Sequence, residues 1–267
     1  MIKYIFLWLI ILAFNTNAFS GEMITNYHSN QSILKKDAGH FFQTGVRLAK
    51  SSLNLHHGWK KKALVIGTTA LLFTIDKKVR RIALANQSPL NDRIFNADHF
   101  YGSIYTAGLV VGSYGLGYFI KNEKIRRTGL YSVEAFVYSG IISGIFKVGI
   151  GRRRPYGGEN MLVFKPFRMQ KLYKALPSGH TTIAFAVSTV MANSVNNRFW
   201  KVFWFGSAGM VAASRIYHNV HWVSDVFLGG VIGNSIAKFV VNSDKKSRMH
   251  ADYIINPNGI TIRVSFN

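Results

Sequence analysis

The run YGSIYTAGLVVGSYGLGYFI, residues 101–120, holds twenty residues without a charge. As one helix it would be long enough to cross the hydrocarbon core of a bilayer. Its reading divides the possible architectures in two: a membrane-embedded helical bundle, or a soluble all-α protein with unusually apolar core helices. Working outward, five further apolar segments occupy residues 63–75, 130–146, 181–195, 199–216 and 223–241. Several carry an ionisable residue, namely Glu134, Lys201, Asp225 and Lys238. Such groups are expensive inside a membrane and tend to be functional where they occur, which favours the membrane reading. The expected fold is therefore all-α, a six-helix membrane-embedded bundle. Trp59, Trp200, Trp204 and Trp222 lie near segment ends, as interfacial aromatics do, although core tryptophans would look the same.

The flanks differ in composition. Residues 1–20 combine Lys3, an apolar run over residues 4–14 and the small residues Ala18 and Ser20, the pattern of a cleaved signal peptide. Export to the bacterial inner membrane follows from it. In residues 21–62, Leu34, Phe41, Phe42, Val46, Leu48 and Leu55 recur at roughly helical spacing, predicting an amphipathic helix lying on the membrane or on the core. At the far end Ile260, Ile262, Val264 and Phe266 alternate with polar residues after an NPNG turn signal, so residues 243–267 read as a basic linker and a short β-hairpin. The intervening residues 63–242 hold the three polar clusters that stand out.

Lys and Arg number 33 against 11 Asp and Glu, a formal charge of +22, which favours anionic partners. The basic residues fall in short clusters between apolar runs and form no groove-reading motif, so nucleic acid is not the expected partner. There is no cysteine, which excludes a disulfide framework and thiolate chemistry.

Three polar clusters stand at segment ends. In KVGIGRRRP, Lys147 and Arg154 are seven residues apart and would point the same way if the helix persists that far; Arg152 and Arg153 read as a basic flank ahead of Pro155. In LPSGHTT, Ser178 and Gly179 open a helix whose N–H groups and hydroxyl can hold an anion, with His180 in its first turn. The plainer reading there is a serine N-cap. In SRIYHNVHWVSD, Asp225 lies one turn after His221 and can take its Nδ1 proton, and Arg215 can reach the same anion. His218, His221 and Asp225 can also be drawn as metal ligands, against which the cationic surround argues.

Together these clusters resemble the type 2 phosphatidic acid phosphatase superfamily, which also holds bacterial nonspecific acid phosphatases and vanadium haloperoxidases. Its pattern K-x6-R-P, P-S-G-H and S-R-x5-H-x3-D is matched at residues 147–155, 177–180 and 214–225. The resemblance covers roughly residues 63–242 and implies metal-independent, cofactor-free phosphate hydrolysis through a phosphohistidine. In that scheme His221 is the nucleophile and Asp225 its orienter, with His180 as general acid and then base. Lys147, Arg154, Arg215, the Ser178 hydroxyl and the Gly179 N–H hold the phosphoryl oxygens, and His218 stands by. A lipid phosphate at the membrane surface is the expected substrate. A soluble periplasmic acid phosphatase and a non-catalytic membrane protein that kept the fold are the alternatives.

Overall fold

The computed structural model describes residues 30–53, 58–96, 100–256 and 259–266. Nine α-helices lie among them: α1 (Asn30–Leu53), α2 (Trp59–Phe73), α3 (Asp76–Ala85), α4 (Pro89–Phe95), α5 (Thr106–Phe119), α6 (Glu123–Ile150), α7 (Gly179–Ser194), α8 (Arg198–Tyr217) and α9 (Val223–Arg248). Each of the six apolar segments falls on one of α2 and α5–α9, but the expected total of six is too low. Hydropathy registers apolar runs, whereas α4 is made by its start signal: the Ser88 hydroxyl accepts the Asn91 N–H at 3.2 Å and Pro89 opens the first turn.

The twenty-residue run does not form a single span. Helix α5 takes only its last part, 14 residues of helix or about 21 Å, against a hydrocarbon core of about 30 Å. The first five residues turn instead. Gly102 has a φ of 82°, and a Cβ there would lie 2.6 Å from the carbonyl oxygen of His180. Beside it, Tyr101 is buried and donates to the Ala184 carbonyl at 3.1 Å. Among the described residues two helical stretches are long and apolar enough to cross a membrane, Glu123–Ile150 and Val223–Ser243.

Helix α7 sits at the centre, against α6, α8 and α9. Two glycines set how closely α9 approaches: a Cβ on Gly229 would lie 2.7 Å from the Ser178 carbonyl oxygen, and one on Gly233 2.1 Å from that of Thr182. Gly117 and Gly129 do the same for the pair α5–α6, where a Cβ would meet backbone at 2.1 and 2.3 Å. The space around these contacts is filled by Val110, Val187, Met191, Trp204 and Val211 between α5, α7 and α8. Ala135, Ala186, Val190 and Ala237 fill it between α6, α7 and α9. Trp204 and Trp222 are 1% exposed and belong to the interior rather than to an interface, whereas Trp59 is exposed.

Helix α1 docks on α6 and α9, with Leu48 packed near Tyr138, Ile236 and Val240. Polar contacts fix it: Asp37 accepts from Tyr114 at 2.8 Å and pairs with Arg126, and His40 Nδ1 lies 2.7 Å from Glu134 Oε1. Leu34, Phe42 and Val46 remain exposed on its outer side, and Leu55 lies outside the described residues. At the other end Met249–Asn256 (β1) pairs antiparallel with Gly259–Phe266 (β2). The expected signal peptide, residues 1–20, also lies outside the described residues.

Candidate active site

Helix α6 stops at Gly151, whose φ of 62° suits the left-handed C-cap, so Lys147 occupies the last turn and Arg154 lies beyond the helix. The expectation that both cations share one helical face is therefore corrected. A chain reversal brings them together instead: the Arg154 N–H donates to the Leu172 carbonyl at 2.8 Å. The Lys174 carbonyl then accepts from Lys147 Nζ at 2.9 Å and Arg154 Nη2 at 3.4 Å.

Ser178 immediately precedes α7 and is completely buried. Its N–H is spent on the Asp225 carbonyl at 2.9 Å. Its hydroxyl makes no capping bond; it accepts from the Thr181 hydroxyl at 3.0 Å, leaving its own O–H to donate. At Gly179 a Cβ would lie 3.2 Å from Lys147 Cε and 3.7 Å from Nζ, which sets the ammonium beside the positive end of α7. His180 stands half-buried in the first turn.

The third cluster spans the end of α8 and the start of α9. Arg215 closes the intervening turn by accepting the Val220 and His221 N–H groups on its carbonyl, both at 3.2 Å. The His221 side chain is 2% exposed and that of Asp225 fully buried, with Nδ1 and Oδ2 3.6 Å apart. That is an ion-pair distance but not a hydrogen bond, and Oδ2 instead accepts the Trp222 N–H at 2.9 Å. Burial, and then the charges of Lys147, Arg154, Arg215 and His180, hold the His221 pKa well below its ordinary value near 6.5. The imidazole is thus neutral, with three cations and a second histidine gathered about it. His218 caps α8 and packs edge-on against Tyr217, and the Ser214 hydroxyl donates to the Phe95 carbonyl at 2.8 Å.

One part of the site escaped the sequence reading. Arg152, expected in a basic flank, is fully buried and bonds Asp225 Oδ1 at 2.6 Å and Asp76 Oδ2 at 2.7 Å. Asp76 binds the Ser224 N–H at 3.0 Å and its hydroxyl at 2.6 Å. A signal was present: Asp76 is one of only 11 acidic residues and directly follows an apolar segment. Arg153 keeps the flanking place, reaching the Asn160 carbonyl at 3.2 Å.

The PAP2 superfamily model matches residues 128–249, which include all three clusters. Residues 128–249 are thus similar to the PAP2 superfamily. Over 171 residues the chain is 23% identical to a lipid A 1-phosphatase of Porphyromonas gingivalis, covering 63% of this chain and 35% of that protein. Over 116 residues it is 26% identical to an undecaprenyl-diphosphatase of Sulfolobus acidocaldarius, covering 43% of this chain and 54% of that one. The matches thus span from about a third to about half of these curated relatives. The chain is also similar in fold to the first transmembrane PAP2-type phosphatidylglycerolphosphate phosphatase from Bacillus subtilis. That match has a TM-score of 0.51 and 21% identity, and covers 79% of this chain and 96% of that one.

Proposed function

We propose that this protein is a membrane-lipid phosphatase that hydrolyses a phosphate monoester or diphosphate through a phosphohistidine on His221. The observation that carries the reading is the buried His221 imidazole, 3.6 Å from Asp225, with the histidine pKa held down by burial and by the charges of Lys147, Arg154, Arg215 and His180. Phosphoryl transfer needs charge neutralised on the equatorial oxygens and a nucleophile in line with the leaving group. The three cations, with the Ser178 O–H and the Gly179 N–H, supply the first without a divalent ion. His221 Nε2 supplies the second: it forms the P–N bond as the P–O bond to the alkoxide breaks and His180 protonates that alkoxide. His180 then takes a proton from water, which attacks phosphorus, breaks the P–N bond and releases inorganic phosphate with free His221.

A lipid substrate is favoured by the outer surface. Leu64 and Leu71 on α2, Phe119 on α5, Ile145 on α6, and Phe199 and Val202 on α8 are each more than half exposed, apolar side chains suited to contact with acyl chains. The named activities of the two relatives, on lipid A and undecaprenyl diphosphate, point the same way. The bacterial inner membrane, entered through an export signal, is the proposed location. The test is turnover by the detergent-purified protein against phosphatidic acid, phosphatidylglycerol phosphate, an undecaprenyl diphosphate, lipid A and soluble phosphate esters. Phosphate release from a lipid that persists in chelator supports the reading. Equal turnover of soluble esters by protein extracted without detergent would favour a soluble acid phosphatase, and release that stops in chelator and returns with metal overturns the mechanism.

A further inference from the structure

Arg152 has no place among the phosphate ligands, because each arm of its guanidinium is already committed. Nη1 donates to Asp225 Oδ1 at 2.6 Å and Ser224 Oγ at 2.7 Å, Nη2 to Asp76 Oδ2 at 2.7 Å, and Nε to the Met161 carbonyl at 3.1 Å. The Phe73 ring covers its face at 4.1 Å, and the Trp222 ring lies at 5.6 Å. No phosphoryl oxygen can approach a fully buried group enclosed in this way. Stability is a weak reason to retain the pair, since burying two charges costs about as much as their attraction returns.

The Asp225 carboxylate offers a better reason. Arg152 takes Oδ1, which leaves Oδ2 bonded to the Trp222 N–H and directed at His221 Nδ1. Rotation of the carboxylate away from His221 would break a short charge-assisted bond. Asp76 balances the Arg152 charge and, through both Ser224 bonds, ties down the first turn of α9, where Asp225 sits.

We propose that Arg152, itself held by Asp76, is a positioning residue that locks the Asp225 carboxylate with Oδ2 facing His221 and thereby fixes the nucleophile for attack. The proposal rests on the phosphatase reading above, in which His221 is that nucleophile. It separates two quantities that a merely structural role would lose together. The phosphate ligands Lys147, Arg154 and Arg215 do not touch Arg152 in any bond described, so phosphate affinity should survive while the rate falls.

The experiment compares wild type, Arg152→Gln, Arg152→Lys and Asp76→Asn in detergent, measuring kcat on a phosphate ester, inhibition by inorganic phosphate, and Tm. Arg152→Gln should lower kcat by about tenfold or more, the scale seen when a partner orienting a reactive group is removed. Phosphate inhibition should stay within about twofold of wild type, a small change beside the tenfold steps of affinity arithmetic. Arg152→Lys, which keeps the charge but not the fork, should recover part of the loss, and Asp76→Asn should lower kcat in the same direction with phosphate inhibition retained. An unchanged kcat in Arg152→Gln or in Asp76→Asn, or a parallel loss of kcat and phosphate inhibition in a folded variant, overturns it. If Arg152→Gln does not fold, Asp76→Asn decides alone. Failure of the phosphatase reading itself would look different: wild type would release no phosphate, or release would survive His221→Ala.

Discussion

In the proposed mechanism the chemistry at His221 depends on a proton being absent. Burial and the surrounding cations keep the folded imidazole neutral, whereas the unfolded chain binds a proton near pH 6.5. The unfolded state therefore gains protons first as pH falls, and stability drops as pH goes from about 6.5 toward the lower folded value. His221→Asn removes that loss, so its Tm should fall less than that of wild type between about pH 7.5 and about pH 5; an identical fall in both proteins would contradict the assigned environment. Activity separates the two neighbouring histidines. His221→Ala and His180→Ala should each abolish phosphate release, while His218→Ala, whose ring packs on Tyr217, should retain most of it. Equal losses at 218 and 221 would mean that the nucleophile is wrongly assigned. The three polar clusters of the proposed site were legible at this scale because histidine, lysine and arginine are conspicuous in apolar sequence. Arg152 was not legible, since three adjacent arginines look alike until the fold sends one inward.

Among the elements, helix contact is governed by absent side chains. At Gly233 the α9 backbone lies so near α7 that a Cβ would be 2.1 Å from the Thr182 carbonyl oxygen and 3.0 Å from the Ala186 nitrogen. Gly233→Ala should therefore cost about 1–3 kcal/mol, the usual penalty for overpacking, with a matching fall in Tm. Gly140→Ala, where a Cβ has open space, should leave Tm unchanged, and an equal fall at both sites would contradict this packing. Segment position was readable from hydropathy, since each of the six apolar segments between residues 63 and 241 places most of its length on one helix. Helix ends were less so. Residues 101–105 carry no charge and look like the start of a span, but Gly102 and the inward turn of Tyr101 are tertiary features that periodicity does not encode. Likewise α4 follows from its Ser88 cap, and α3 opens at the buried Asp76, rather than either following from an apolar run.

Across the whole molecule, basic residues gather near the buried His221, large apolar side chains stay exposed on α2, α5, α6 and α8, and the +22 charge favours anionic partners. The central claim is a covalent step on one nitrogen. A phosphate ester with a leaving group that needs no proton allows His221 to react even when His180 cannot act as acid. Rapid quench of the His180→Ala protein with such a phosphorus-labelled ester, followed by peptide mass spectrometry, measures that step directly. The account predicts a phosphohistidine at residue 221 that accumulates in this variant and is absent from His221→Gln. Label on any other residue, or turnover in wild type with no phosphoenzyme under conditions that trap it, would contradict the account.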